Sequence, residues 1–243
     1  MESIRATIFP AAGVTPTPDT WWRVATNTDP NSRTSKPATR EHVEEGPFAD
    51  AHLVLTINPL GIMQWQLGAP PLNDLPTALP TVGPFLEKAS EFLQLLNRWF
   101  PLCPTSSRIA CGIVAILPVD SHREAYETLD SLLHAVDIDP VGSSELLYRI
   151  NRPRPSRLLQ GLTINRLSTW LAVKVTLTVG LAEGQSVQGG REAVLYEKYV
   201  CRAQLDINTA PSFQGTFPPP SLSELYGELY QLAVEILAKG DIP

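Results

Sequence analysis

Two long stretches of alternating residues constrain this chain more than any other feature. "LSTWLAVKVTLTVGLA" (167–182) sets Trp170, Ala172, Lys174, Thr176 and Thr178 against Leu171, Val173, Val175, Leu177 and Val179. "AVLYEKYVCRAQLDIN" (193–208) sets Tyr196, Lys198, Val200, Arg202 and Gln204 against Leu195, Glu197, Tyr199, Cys201, Ala203 and Leu205. Side chains two apart on a strand share a face, so a period of two over this length predicts strands. "EGQSVQGG" between them is rich in turn residues, which makes the pair an antiparallel hairpin. A lone hairpin is marginal in water and needs further strands or helices to bury one face.

The rest of the chain supplies them. "AHLVLTINPLGIMQWQL" (51–67) reads as a second hairpin, with "NPLG" as its turn. "TVGPFLEKASEFLQLLNRWF" (81–100) carries Phe85, Ala89, Phe92, Leu96 and Trp99 at helical spacing, with Pro84 suited to a first turn. "SRIACGIVAILPV" (107–119) is almost wholly apolar, which predicts a central strand covered on both faces. Ser121 and Glu124 form a capping box for a second helix, and Ser221 and Glu224 form another before the last one. Gly240 suits the end of that helix. "SSELLYRIN" (143–151) adds a strand. The order β-β-α-β-α-β-β-β-α predicts an α+β fold: a mostly antiparallel sheet with about three helices packed on one face.

Proline punctuates the chain. Its 23 residues are about 9% of the total, against roughly 5% in an average protein, so the fold should be loop-rich. Residues 1–49 are expected to form an extended Pro/Thr-rich arm on a single α+β domain at 50–243, with a two-lobed split near 140 as the alternative. Within the arm, the adjacent Trp21 and Trp22 should point to opposite sides of an extended chain, one of them near the surface.

No apolar run approaches the roughly 20 residues of a membrane span, and the N-terminus lacks the pattern of a signal peptide. Three cysteines with no Cys-x-x-Cys spacing suit reduced thiols. The expected setting is cytoplasmic. The sequence contains no Walker or dinucleotide glycine loop, no Gly-x-Ser-x-Gly elbow and no paired histidines at metal-ligand spacing. It therefore points to no catalytic residues, no cofactor and no metal site.

One stretch stands apart. "LLYRINRPRPSRLLQGLTINRLSTW" (146–170) repeats Ile-Asn-Arg and holds five arginines without an acid. Six basic residues and no acid lie between 146 and 182, while the rest of the chain carries 13 basic and 25 acidic residues. Pro153 and Pro155 force extended geometry, which sends Arg152 and Arg154 to one side and Asn151 to the other. Arginine forks match phosphate or carboxylate in a two-point grip. Three readings follow: arginines paired with acids elsewhere in the chain, a protein-partner surface, or a site for nucleic acid or a phosphorylated ligand. The candidate contact residues are Arg149, Asn151, Arg152, Arg154, Arg157, Asn165, Arg166 and Trp170.

The succession of "GPFLEKASEFLQLLNRWF", "SRIACGIVAILPV", the Ile-Asn-Arg segments, a strand ending "LDIN" and the helix "SLSELYGELYQLAVEIL" resembles a sporadically distributed family of uncharacterised prokaryotic proteins. The likeness covers roughly residues 50–239. The family pattern includes an Arg-Ile-Gly-like strand and an Asn-Arg pair. Here "RIACGIVAIL" has no Arg-Tyr-x-Asn-Arg continuation, and the usual N-terminal strand is not obvious. The resemblance implies an α+β fold and a prokaryotic or phage context, without an activity. Together these readings favour a non-enzymatic binding protein that uses the 149–166 crossover to hold a protein partner. The alternatives are an enzyme acting on a phosphorylated or nucleic-acid substrate, and a structural subunit of an assembly.

Overall fold

The long hairpin is present, and a large antiparallel sheet is built around it. In the computed structural model, which describes residues 1–71, 79–181 and 191–243, strands β9 (Thr163–Leu181) and β10 (Arg191–Thr209) pair along their whole lengths. The turn expected at 183–190 lies outside the described residues. Among the described residues eight further strands join the sheet: β1 (Ser3–Pro10), β2 (Ser32–Lys36), β3 (Glu41–Phe48), β4 (Ala51–Ile57), β5 (Met63–Gly68), β6 (Ser106–Val119), β7 (Leu147–Asn151) and β8 (Arg154–Pro155). Their order across the sheet is β2-β3-β4-β5-β1-β6-β10-β9-β7, with β8 beside β9, and every pairing is antiparallel.

The described helices are α1 (Trp21–Thr26), α2 (Phe85–Trp99), α3 (His122–Leu132) and α4 (Pro219–Lys239). This is the α+β architecture that the patterning predicts. Ile4, Ala6 and Ile8 of β1, Leu53 and Leu55 of β4, Met63 and Trp65 of β5, Ile109 and Cys111 of β6, and Leu205 and Ile207 of β10 all join one buried cluster with Phe92, Trp99, Leu129, Tyr226 and Leu229 of the helices. The helices thus cover one face of the sheet. No described helix is long and apolar enough to cross a membrane.

Several expectations fail for identifiable reasons. Residues 1–49 do not form an arm: β1 inserts between β5 and β6 near the middle of the sheet, and β2 and β3 extend the sheet at one end. The inward triplet Ile4, Ala6, Ile8 is short and includes a small residue, so its alternation is weak in sequence. Strand β2 is exposed along its length, so it carries no hydrophobic signal at all. Its Arg33 and Lys36 suit an edge that must not pair with other chains.

The two tryptophans sit in a helix, and both are buried. Trp21 meets Trp99 edge-on at 5.6 Å, and Trp22 lies against Trp65 at 5.5 Å between ring centroids. Strand β6 is fully covered on one face only: Ile109, Cys111 and Ile113 are buried, while Ala110, Val114 and Ile116 on the other face are half-buried. The sheet takes strands from both sides of residue 140, since β6 pairs with β10.

The first capping box forms, with Ser121 Oγ accepting from Glu124 N at 3.1 Å. The second does not. Pro219 opens α4 two residues before Ser221, because three successive prolines from 218 already fix the entry geometry. At the other end, Gly240 takes a positive φ of 78°, and an added Cβ would collide with the Leu132 carbonyl that ends α3. That close approach lets Asp241 N donate to Leu132 O at 2.8 Å, and it aims the Asp241 side chain back under the sheet.

Candidate functional site

The paired Ile-Asn-Arg segments meet across β7 and β9. Arg152 N donates to Arg166 O at 3.3 Å, and Arg166 N donates to Asn151 Oδ1 at 2.9 Å. Strand alternation then divides each copy. The asparagines turn to the face without helices, and the arginines turn beneath the sheet toward α4.

On the covered side, Arg152 grips Asp241 through Nε at 2.5 Å and Nη2 at 2.7 Å, and Tyr148 donates to the same carboxylate at 2.6 Å. The Arg152 hydrogen bonds hold the Asp241 carboxyl below its usual range against the opposing effect of burial. Arg154 pairs with Glu235 of α4 at 3.0 Å and also donates to the Pro243 carbonyl. Burial tends to raise the Glu235 carboxyl, but Arg154 and Lys239 outweigh it and the net direction is down. Arg166 is 1% exposed, and none of its guanidinium nitrogens has a hydrogen-bond partner among the described residues. Trp170 is buried in the core.

The reading of these arginines as partners of acids elsewhere in the chain therefore describes Arg152 and Arg154. The expectation that all eight candidates share one contact surface does not match this placement. Alternation puts Arg152, Arg154, Arg166 and Trp170 on the face the helices cover. Arg157 is exposed beside a 730 Å³ groove along α4, where its backbone N donates to Glu228 at 2.6 Å.

The open face brings the remaining candidates together. Asn151 Nδ2 donates to Asn165 Oδ1, Asn165 Nδ2 to Asn208 Oδ1, and Asn208 Nδ2 to Asp206 Oδ1, each at 3.1 Å. This amide ladder steps across β7, β9 and β10. Strand register extends it: Gln66, Arg5, Gly112, Asp206, Leu167 and Asn151 lie in one row across the sheet. In the next row are Gly68, Ser3, Val114, Gln204, Thr169 and Arg149.

Gly112 has a packing reason. The Arg5 side chain lies across it, and a Cβ there would overlap the stem and guanidinium of Arg5. Small residues in β6 thus leave a trough down the middle of the face. Arg5, Arg149, Thr169, Gln204 and Asp206 line a basin of 340 Å³ there, floored in part by Val114 and Leu167. The backbones at Arg5 and Arg149 stand four strand spacings apart, about 19 Å. Among the described residues neither forms an ion pair.

Sequence reasoning missed Arg5, Gln204 and Asp206. They lie 144, 55 and 57 residues from Arg149 in sequence and join it only through the pairing of β1 with β6, β6 with β10, β10 with β9 and β9 with β7. Nothing local marks them, and only the strand order could have found them. The three cysteines are free and buried, and burial raises their thiols, Cys111 to about 12 and Cys201 to about 11. No family model matches the chain, and no curated protein and no solved structure is significantly similar to it.

Proposed function

We propose that this chain is a non-enzymatic binding protein, and that its contact surface is the open face of the sheet around Arg149, Asn151 and Asn165. The observation that carries the reading is the basin lined by Arg5 and Arg149 with Asp206 between them, neither arginine forming an ion pair among the described residues. The partner we infer is a protein segment with carboxylates spaced to reach both arginines, lying extended across the strands. Gln204, Thr169 and the asparagine ladder would meet its backbone through hydrogen bonds, as polar side chains do at wet interfaces.

A single-stranded nucleic acid is a weaker fit. Such ligands are held by aromatic stacking platforms, and the described part of this face offers Phe9, which Arg108 already covers at 4.7 Å. The family resemblance, with its prokaryotic context, belongs to the same proposal and rests on the segments that carry it.

Fluorescence anisotropy with a labelled oligo-glutamate peptide, and with single-stranded RNA of equal charge, tests this at two salt concentrations. Salt-sensitive peptide binding that is lost in Arg149→Glu and kept in Arg157→Ala is the expected result. Peptide binding untouched by Arg149→Glu would remove the open face as the site. Preferential RNA binding would replace the protein partner with a nucleic acid.

A further inference from the structure

Beneath the sheet, on the opposite side from that surface, lies a group with an unmet electrostatic demand. Arg166 projects from β9 toward the end of α4 and is 1% exposed. All three of its guanidinium nitrogens are buried without a hydrogen-bond partner among the described residues. A charge buried in this way is costly unless paired. The charged groups that act on it are Arg154 and Arg152, which repel it, and Glu235 and Asp241, which attract it; burial itself disfavours its charged form.

Those two acids are already committed. Asp241 gives both carboxylate oxygens to Arg152, and Glu235 faces Arg154 at 3.0 Å and Lys239 at 3.5 Å. With Arg152, Arg154 and Lys239 already drawn to these two carboxylates, none is left over for the third guanidinium, and the unpartnered fork belongs to Arg166. Arginine forks complement tetrahedral oxyanions through two parallel N–H···O contacts, a geometry a spherical halide does not use as fully.

We propose that Arg166, flanked by Arg152 and Arg154, is a binding site for an inorganic oxyanion of the phosphate or sulfate type, closed by the Gly240–Asp241 turn that follows α4. The anion takes the role of the third carboxylate that the cluster lacks. It joins β7, β9 and the end of α4, so binding stabilises the fold. This site is separate from the open-face surface and does not depend on it.

Thermal unfolding of the full chain in sodium phosphate, and in sodium chloride at matched ionic strength, provides the test, alongside Arg166→Met and the open-face variant Arg149→Ala. At a phosphate concentration a hundredfold above Kd, mass action raises Tm by roughly 5–10 °C. The rise should appear in the native chain and in Arg149→Ala, and it should vanish in Arg166→Met. Methionine removes the charge while filling similar space, so without an anion site that variant should be neutral or more stable in every buffer.

Should Arg166→Met fail to fold, calorimetric titration of the native chain with phosphate decides alone. Binding at millimolar Kd or tighter, with chloride at least tenfold weaker, supports the site. Equal responses to phosphate and chloride, or no heat, overturn it.

Discussion

Residues 151 and 152 are neighbours in sequence and are separated by the thickness of the sheet in function. Asn151 lies on the open face in a ladder of amides, while Arg152 lies beneath it in a two-point grip on Asp241. The same division separates Asn165 from Arg166. Residue type does not set the consequence of a change here; the face does. Below the sheet, ionic groups are partly or wholly buried, and Arg152 and Arg154 each depend on an acidic partner. Above it, Arg149 and Asn151 are exposed, where water can replace what a substitution removes.

The largest effect expected from this contrast is at Asp241. Its side chain is 2% exposed, against 26% for Arg152. Asp241→Asn keeps the shape and removes the charge, leaving Arg152 beside Arg166 and Arg154 with one counter-charge fewer. Breaking a buried pair typically costs 3–5 kcal/mol; with Arg152 about a quarter exposed, roughly 3 kcal/mol is expected. Urea denaturation measures it. A loss under about 1 kcal/mol would mean the grip is no more than a surface ion pair.

Gly240→Ala should reach the same cluster from the backbone. Its positive φ and its contact with the Leu132 carbonyl leave no room for a methyl group, so the turn carrying Asp241 must shift. A loss of about 2 kcal/mol is expected. The pair Gly240→Ala and Asp241→Asn should be sub-additive, because both unseat one carboxylate. Full additivity would show that the turn and the grip act independently.

Acid should expose the same dependence. The Asp241 carboxyl titrates below its ordinary value in the folded chain, chiefly because Arg152 hydrogen-bonds its charged form. Its contribution is therefore complete above the unfolded carboxyl value, near about 4. It is lost as pH falls through the lower folded value. Denaturation curves from neutrality into that acid range should steepen in the native chain and flatten in Asp241→Asn. An unchanged slope in the variant would assign acid sensitivity to other carboxylates, with Glu235, which is shifted the same way, the first to test.

Much of this was legible before the fold, and the limits are specific. Alternation through Pro153 and Pro155 correctly put Arg152 and Arg154 on the side opposite Asn151. It could not say which side α4 covers, because that depends on a helix about 80 residues away. The hairpins at 51–68 and 163–209 were legible since their faces differ in polarity over many residues. Strand β1 was not, because its inward set is three short positions, and β2 was not, because it buries nothing. Arg5 became part of the candidate site only through register: β1 pairs with β6, β6 with β10, and so to β9 and β7. No local pattern encodes that adjacency.

On the open face the stability effects should be small. Asn151→Ala removes the acceptor for Arg166 N and the donor to Asn165, yet Asn151 is exposed and water can take both places. About 1 kcal/mol is expected. Arg149→Glu is the smallest of all in stability and the most telling in function. Its guanidinium is exposed and has no acidic partner among the described residues, so reversal should change unfolding free energy by less than about 0.5 kcal/mol. Reversal also places a carboxylate at the rim where an acidic partner must arrive, and like charges there should weaken association at low salt more than at high salt. A stable Arg149→Glu that has lost the oligo-glutamate peptide would separate the two faces cleanly. An Arg149→Glu as damaging to the fold as Asp241→Asn would mean that the open face is structural too, and that the distinction between the faces fails.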